Sequence, residues 1–379
     1  MPVQPIAVSL TPERRFILAG ARLQADRTQL AQLAGTVGDW EALVAEATAL
    51  RYDGLLARAC DGLEAVPRKA REALAQRLRL GRARNVLYLD AAAEALRTLH
   101  AGGLAPVALK GVALAEALYV DTGLRQFGDL DVLLPRGDIE SAERLLREIG
   151  YAVSASPHDR SWYDLNYYHL PPLQRSGGGM TIELHWGFAR RPHPFRLDYD
   201  GMRERAVLAV VGGERTLVLS PEDRAIHLAV HLAWGNGFTA HAIGLVDIAE
   251  TVRAGLNWEL LGGLTRQQHA GQVLLPSLEM ARDLLDAPVP HAMLATLEPW
   301  RGGPLARRLV PRAQARFFAQ GEGFRTWLRL AWLERNDERA QLLWENLRPS
   351  AHPENDGRGS LLARLSGGAR RALRPFLTR

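Results

Sequence analysis

The 379-residue sequence has one cysteine and no apolar run of the length that a membrane span needs. A single cysteine, Cys60, excludes an internal disulfide and any zinc site built from cysteines. A membrane-spanning helix takes about 18 to 20 consecutive apolar residues, and the N-terminal stretch lacks the charged-then-apolar order of a signal peptide. The sequence therefore predicts a cytoplasmic globular protein without membrane contact, whose 47% hydrophobic content is enough for a full core.

Lysine is also scarce, since only Lys69 and Lys110 among the 47 basic side chains are lysines. Arginine is thus the default cation of this chain, and a retained lysine hints at a place where a compact ammonium is needed. The basicity belongs to the C-terminal tail, because residues 358–379 carry six arginines and no acid. Subtracting these six from the net charge of +5 leaves about −1 for the rest. Such a tail predicts weak contact with nucleic acid or an acidic partner.

The order of predicted elements indicates an α+β fold, with a mixed sheet flanked by N-terminal and C-terminal helical regions. We predict a helical region over residues 1–100, an α/β core over 101–215, a second helical region over 216–347, and a linker and arginine-rich tail over 348–379. Within the core we predict strands at 105–109, 130–134, 151–155, 163–170 and 180–186 and helices at 112–119 and 138–149, with the turn "RSGGG" between the last two strands.

Three acidic residues lie on predicted strands of the core. Alternate side chains of a strand face opposite sides, so Asp129 and Asp131 project together, while Leu130 and Val132 face a core. Glu183, in "MTIELHW", lies on a later strand and can complete a triad. Close carboxylates repel when both are ionised. We therefore expect Mg²⁺ or Mn²⁺ beside them, in an arrangement suited to phosphoryl or nucleotidyl transfer.

The structural alternative is that Asp129 and Asp131 are solvent-facing residues of an edge strand. On the metal interpretation, we expect Asp131→Asn to abolish activity. We also expect it to leave the stability unchanged or raised, because it removes one of two repelling charges.

Residues around the first predicted strand are suited to phosphate. Gly111 lies at a helix N-terminus, where backbone N–H groups favour an anion. Lys110 beside it is either a phosphate contact or an ordinary strand-end lysine that points to solvent. Arg125, in "GLRQFG", can bind phosphate oxygens in pairs. His185 and His231 are further candidates for nucleotide contact.

Other polar and aromatic residues have two interpretations each. His227 and His231 are four residues apart on a predicted helix, but the glutamate of H-E-x-x-H is missing, so they either line a cleft or are satisfied in the core. His241 and Asp247 either pack helices or contact substrate. The aromatic side chains of "SWYDLNYYHL" either stack on a base or belong to a strand.

A resemblance rests on "LKGVAL", "GDLDVLL", "AERLLREIGY" and "IELHW", followed by "EDRAIHLAVHLAW" and "HAIGLVDIAETV". Together they resemble a family of uncharacterised bacterial nucleotidyltransferases within the DNA-polymerase-beta-like nucleotidyltransferase superfamily, over about residues 100–255. The resemblance implies a nucleotidyltransferase-type sheet, a phosphate turn at Gly111, metal binding by Asp129 and Asp131, and metal binding and acceptor activation by Glu183. The superfamily's Gly-Ser pair is replaced by Gly111 and Val112, so the usual serine contact to phosphate is absent.

These observations predict a metal-dependent nucleotidyltransferase that moves a nucleoside monophosphate from an NTP to an acceptor and releases pyrophosphate. The acceptor is a small molecule, a peptide or an RNA end. One alternative is a non-catalytic module on the same fold that binds a nucleotide or a partner, but such a module has no need of three repelling acids. The other is a toxin-like nucleotidyltransferase acting on tRNA, which the near-neutral charge before residue 358 disfavours.

Overall fold

The computed structural model describes residues 10–154, 156, 159–239, 242–318 and 325–347. His241 and the predicted linker and tail, residues 348–379, lie outside these ranges. No helix in the described ranges combines the length and apolar character that crossing a membrane requires.

Helices precede and follow a central sheet, as the sequence predicts. The N-terminal helices are α1 (Pro12–Gly20), α2 (Arg27–Ala34), α3 (Trp40–Ala49), α4 (Asp53–Cys60) and α5 (Arg68–Ala101). The middle of the chain forms the strands β1 (Val107–Leu109), β2 (Asp129–Leu133), β3 (Tyr151–Val153), β4 (Leu173–Arg175), β5 (Thr181–His185), β6 (Val207–Val211) and β7 (Glu214–Val218) and the helices α6 (Lys110–Ala117), α7 (Ile139–Glu148), α8 (Arg160–Asn166) and α9 (Tyr199–Glu204). The helices that follow are α10 (Pro221–Ala229), α11 (Ile243–Ala254), α12 (Trp258–Gln267), α13 (Gly271–Leu285), α14 (His291–Leu297), α15 (Pro304–Gln314), α16 (Arg325–Trp332) and α17 (Asn336–Leu347), with a π-helical turn, Val230–Gly235, after α10.

The seven strands form one mixed sheet in the order β3-β4-β5-β2-β1-β7-β6. The central strand β2 pairs in parallel with β5 and antiparallel with β1, and β1 pairs in parallel with β7. The predicted α+β fold with a mixed sheet is therefore confirmed. In this order, β1, β2 and β5 lie side by side, so residues distant in sequence meet at the middle of the sheet.

The predicted strand at 163–170 is wrong in its first half, which forms the helix α8. Asp159 caps this helix, because its side chain accepts a hydrogen bond from the backbone N–H of Trp162. Only the second half is extended, where His169 forms an antiparallel bridge with His185. The turn "RSGGG" does join two strands, but the first of them is the short β4. The alternation of aromatic and polar residues in this segment is typical of a strand, but the Asp159 cap favours a helix.

The hairpin of β6 and β7 was absent from the predicted elements. Gly212 and Gly213 connect its strands, and both have positive φ angles, of 58° and 82°. Two glycines between apolar, β-branched runs are a hairpin signal, because such turns need positive φ at their central residues. The sequence "VLAVVGGERTLVL" therefore carried enough information for this element.

Alternation along β2 and β5 gives the sheet two different faces. Leu130, Val132, Ile182 and Leu184 are fully buried on one face, where they pack with residues of α5 and α7. Each such side chain contributes roughly 1.5–3 kcal/mol of hydrophobic stabilisation. The opposite face carries Asp131, and beside it the sheet packs against a second cluster of buried residues. The acids thus face the helical regions rather than the core behind the sheet.

The N-terminal and C-terminal helices contact each other directly. Residues of both regions belong to one hydrophobic cluster. The hydroxyl of Tyr52 donates a hydrogen bond to the Ala242 carbonyl at 3.0 Å, and the backbone N–H of Leu23 donates to Glu250 Oε1 at 3.3 Å. The two regions therefore pack together over the sheet face that carries the acids.

A buried ion pair joins the sheet to the C-terminal helices. Arg125 precedes β2, and its Nε and Nη2 donate hydrogen bonds to Asp247 of α11 at 3.1 and 2.7 Å. The hydroxyl of Tyr119 donates to the same carboxylate at 2.7 Å. Burial opposes the charge of Arg125, but Asp247 outweighs it and raises the pKa of the guanidinium above its ordinary value. The pair fixes the segment before β2 against α11.

We expect Asp247→Asn to destabilise the protein by about 3–5 kcal/mol, because it leaves a buried guanidinium without its counter-ion. Arg68→Gln is the matched control, since Arg68 forms an exposed pair with Glu72 and its loss should have no measurable effect. Urea unfolding of both variants measures the difference. Equal stability of the two variants would contradict a structural role for the buried pair.

Candidate active site

The centre of the candidate site is a buried ion pair between Lys110 and Asp131. Leu109, the last residue of β1, lies opposite Asp131 in the antiparallel pairing with β2. Lys110 follows it directly with a left-handed φ of 45°, which is uncommon for a residue with a side chain. Its Nζ lies 2.9 Å from Asp131 Oδ1, and the Asp131 side chain is only 1% exposed. Lys110 therefore points into the protein and not to solvent.

The parallel pairing of β2 and β5 brings the third acid to this ion pair. Its register places Asp131 opposite Glu183. His185 Nε2 lies 2.8 Å from Asp131 Oδ1 and 3.2 Å from Glu183 Oε2, and its Nδ1 lies 3.3 Å from the Gly187 carbonyl. Both ring nitrogens thus face oxygen acceptors. Burial opposes the charge of the ring, but Asp131 and Glu183 raise the pKa of His185 above its ordinary value.

The two aspartates of the pair have different electrostatic surroundings. Asp131 contacts the Lys110 ammonium and the His185 ring, and although burial opposes its charge, Lys110 and His185 hold the pKa of its carboxyl well below the usual range. At Asp129, repulsion from Asp131 and then burial raise the pKa to about 6. Because Asp131→Asn would leave Lys110 and His185 without their carboxylate, this geometry predicts a loss of stability, the opposite of the expectation from the sequence. Asp129 is the residue that bears the repulsion.

The cluster has the features of a divalent metal site. Ligand atoms of Asp131, Glu183 and His185 lie within 4.8 Å of one another. Asp131 Oδ2 is buried and has no hydrogen-bond partner within the described residues, and such an oxygen is costly to bury unless a ligand uses it. Nε2 of His185 can bind a metal only in its deprotonated form. The residues present therefore fit a metal ion, with carboxylate oxygens of the kind that Mg²⁺ and Mn²⁺ prefer.

Of the other predicted contacts, Gly111 lies next to the ion pair at the start of α6. A Cβ atom at this position would be 2.7 Å from Phe127 Cβ and 3.3 Å from Arg125 Nη1, so only glycine fits here. The paired donors of the Arg125 guanidinium face Asp247 in this structure. Gly111 thus allows α6 to approach the segment before β2 closely, and Arg125 holds that segment in place.

The two histidines of the "HLAVHLAW" segment lie in different places. His227 is 3% exposed, stacks on Phe188 with ring centroids 4.1 Å apart, and lines a cavity of about 10 Å³ together with Lys110. Burial, followed by the charge of Lys110, holds the pKa of His227 well below its usual range. His231 lies in the π-helical turn, where its Nδ1 is 3.3 Å from Asn236 Nδ2. Of these two histidines, His227 is therefore the one beside Lys110.

Three residues near the acids were not among the predicted site residues. His169 Nε2 lies 3.7 Å from Glu183 Oε2, and burial lowers the pKa of this histidine to about 4. The ring centroid of Tyr168 lies 5.7 Å from that of His185. Arg51, between α3 and α4, interacts electrostatically with Asp129. The aromatic segment signalled the first two, but Arg51 comes from a loop of the N-terminal helices that the sequence does not connect to the sheet.

The comparisons with known proteins agree with this geometry. The model of one protein family, described as an uncharacterised nucleotidyltransferase, matches residues 36–286. This range comprises about two thirds of the chain and contains every residue of the acidic cluster. No curated protein and no solved structure matches the chain.

We expect Asp129→Asn to stabilise the metal-free protein above about pH 7. The pKa of Asp129 is about 6 in the folded protein and lower in the unfolded chain, so the wild type loses stability as the pH rises through this range. The advantage of the variant should therefore disappear below about pH 4, where the carboxyl is neutral in both states. Thermal unfolding in EDTA at several pH values measures the difference in stability between Asp129→Asn and the wild type.

Asp121→Asn is the control of opposite sign. Arg82 holds the pKa of Asp121 below its ordinary value, so this variant should be less stable than the wild type at neutral pH and equal to it in acid. If the effect of Asp129→Asn on stability did not change with pH, it would contradict the repulsion between Asp129 and Asp131.

Proposed function

The chain belongs to the family of uncharacterised nucleotidyltransferases, and from this premise we propose that it transfers a nucleoside monophosphate from an NTP to an acceptor. The reaction releases pyrophosphate and depends on Mg²⁺ or Mn²⁺ held by Asp129, Asp131 and Glu183. The observation that carries the proposal is the buried Oδ2 of Asp131, which has no hydrogen-bond partner in the described part of the chain and lies beside two further acids on one sheet face. A non-catalytic module would have no need of Asp129, whose carboxyl bears the repulsion from Asp131.

When bound, the metal would supply positive charge to the triphosphate and to the departing pyrophosphate. Glu183 is the more exposed acid, with 20% of its side chain accessible against 1% for Asp131, and we assign it the acceptance of the proton from the acceptor hydroxyl. The acceptor oxygen then bonds to the α-phosphorus, the bond from that phosphorus to the β-phosphate bridging oxygen breaks, and pyrophosphate leaves. His185 orients Glu183 by a hydrogen bond.

Lys110 has two roles in the proposal. Before the nucleotide binds, it neutralises Asp131. It follows β1 directly and begins α6, so its ammonium is also within the region that we assign to the triphosphate. A compact ammonium can turn between these oxygens, whereas a planar guanidinium requires more room.

The experiment that tests the proposal uses each NTP labelled at the α-phosphorus. The protein is incubated with Mg²⁺ or Mn²⁺, the labelled NTP and cell extract separated into RNA, protein and metabolite fractions. We expect label from one NTP to appear in one fraction together with pyrophosphate. The fraction identifies the acceptor class, and a complete absence of transfer from all four NTPs would contradict the proposed function.

We expect Glu183→Gln to lower the transfer rate by about 100-fold or more, because it removes the proton acceptor and a metal ligand while it keeps the size of the side chain. Gln29→Glu is the control. It makes the reverse change, from an amide to a carboxylate, on the surface helix α2, which is far from the sheet in sequence. Steady-state kinetics with the labelled NTP measures both variants. A Glu183→Gln variant with the wild-type rate would remove Glu183 from the mechanism.

We expect Lys110→Arg to lower kcat/KM for the NTP by about 10-fold or more, although the charge is preserved. The reason is that Lys110 is largely buried, with 16% of its side chain exposed, and adopts a left-handed backbone conformation. Lys69→Arg is the matched control, since Lys69 is 84% exposed and pairs with Glu41 at the surface. Near-identical kinetics of the two variants would show that the site does not require an ammonium.

A further inference from the structure

The ligand atoms of the acidic cluster differ in their preference among metal ions. Among the described residues, the atoms that lie within 4.8 Å of one another belong to Asp131, Glu183 and His185. The set therefore combines two carboxylates with one imidazole. Carboxylate oxygens suit Mg²⁺ and Mn²⁺ alike, whereas an imidazole nitrogen favours first-row transition ions over Mg²⁺. The placement of the His185 ring thus bears on which ion the site binds.

The sheet holds the backbone of His185 on both sides. On one side, the register of β5 with β2 pairs His185 with Leu133, and the backbone N–H of Leu134 donates a hydrogen bond to the His185 carbonyl at 2.9 Å. On the other side, His185 forms an antiparallel bridge with His169. The His185 side chain is 2% exposed. Its ring is therefore preorganised beside the two carboxylates.

The orientation of the ring is that of a metal ligand. His185 Nδ1 lies 3.3 Å from the Gly187 carbonyl. A carbonyl oxygen only accepts hydrogen bonds, so Nδ1 carries the hydrogen of this bond and Nε2 presents its lone pair in the neutral ring. Histidines that bind metals typically donate their other ring N–H to a carbonyl or a carboxylate in this way. The backbone thus directs Nε2 toward Asp131 and Glu183.

The distances from Nε2 match those between neighbouring ligands of one ion. Bonds from a small divalent ion to nitrogen or oxygen are about 2.1 Å long, so two ligands at right angles are about 3 Å apart. Nε2 of His185 lies 2.8 Å from Asp131 Oδ1 and 3.2 Å from Glu183 Oε2. Asp131 Oδ2, which is buried and has no hydrogen-bond partner in the described part of the chain, offers a further oxygen. Binding of one ion by the three residues thus requires little movement of their side chains.

We propose that His185 Nε2 is a ligand of the metal ion and that the site therefore selects a first-row transition ion, such as Mn²⁺, over Mg²⁺. Asp131 and Glu183 supply the oxygen ligands of the same ion. In the metal-free protein, His185 is a counter-ion of Asp131, and the bound ion takes over that charge. The use of the ion in nucleotidyl transfer rests on the proposed function, whereas its binding to His185 does not depend on it.

The first experiment uses the wild type with Mn²⁺ alone, without NTP. Pulsed electron paramagnetic resonance detects nitrogen nuclei that are bound to Mn²⁺, and isotopically labelled histidine identifies an imidazole as their source. We expect a nitrogen signal that changes with the label. A bound Mn²⁺ without any signal from histidine would overturn the proposal, and this result does not depend on the folding of a variant.

The variant His185→Gln assigns the signal to one residue. It keeps a polar side chain beside the carboxylates but lacks the imidazole. We expect it to lose the nitrogen signal. We also expect the ratio of Mn²⁺ affinity to Mg²⁺ affinity, measured by competition, to fall at least about 10-fold. A nitrogen signal and an affinity ratio that both stay at the wild-type level would overturn the proposal.

His169→Gln is the matched control. His169 is also buried, and its Nε2 lies 3.7 Å from the same oxygen of Glu183, but it does not belong to the group of three ligands. We expect this variant to keep the nitrogen signal and the wild-type affinity ratio. Equal changes in the two variants would overturn the assignment, because they would indicate a general disturbance around Glu183.

Transfer assays separate this inference from the proposed function. We expect wild-type transfer to reach half of its maximal rate at a Mn²⁺ concentration at least about 10-fold lower than that of Mg²⁺. Equal concentrations of the two ions would overturn the inference and leave the proposed function intact. Binding of Mn²⁺ by His185 in a protein that transfers label from none of the four NTPs would support the metal ligand and contradict the proposed function.

Discussion

The arrangement of the site depends on how one buried carboxylate is neutralised. Asp131 is almost inaccessible to solvent, and isolated charges in such a place are very costly. Lys110 and His185 provide the compensation from the two strands that pair with β2. This requirement explains why a lysine follows β1 with an unusual backbone conformation and why a histidine ends β5. It also explains the two different aspartates, since the cations stabilise Asp131 and leave Asp129 to bear the repulsion.

The two helical regions pack together over this charged face of the sheet. Arg125 and Asp247 fix the segment before β2 to α11, and the N-terminal helices pack against the same C-terminal helices. The Asp131 side chain is only 1% exposed, and the exclusion of water there strengthens its electrostatic interactions. Lys110 and Gly111 begin α6 beside the acids, and the ring centroid of Tyr168 lies 5.7 Å from that of His185.

Periodicity was enough to predict which acids share a face. The alternation of "GDLDVLL" and "MTIELHW" placed Asp129, Asp131 and Glu183 correctly on one side of the sheet, because side-chain direction in a strand is a local property. The role of His185 as a counter-ion was not predictable in this way, since it depends on the register between β2 and β5, which are about 50 residues apart. The same holds for Arg125, whose partner is a residue of a distant helix.

Local sequence signals account for the helix α8, where two signals favoured different structures, and for the hairpin of β6 and β7. The aromatic residues at 163–170 favoured a strand, but the Asp159 cap and the packing of Tyr163 gave a helix. Gly212 and Gly213 were a sufficient signal for the hairpin of β6 and β7, which is absent from the predicted elements. A cavity lined by four arginines combines a loop after β5 with a helix more than 130 residues later. Such a cavity exists only after the C-terminal helices have packed, so no sequence pattern contains it.

The central claim is that Asp131 is part of a divalent metal site, and Mn²⁺ binding followed by electron paramagnetic resonance tests it most directly. The wild type and Asp131→Asn are compared at a temperature where circular dichroism shows both to be folded, with a non-hydrolysable NTP analogue present. The account predicts that the wild type binds Mn²⁺ and that the variant binds it at least about 10-fold more weakly, because a buried carboxylate ligand is lost. Equal Mn²⁺ affinity in the two proteins would contradict it.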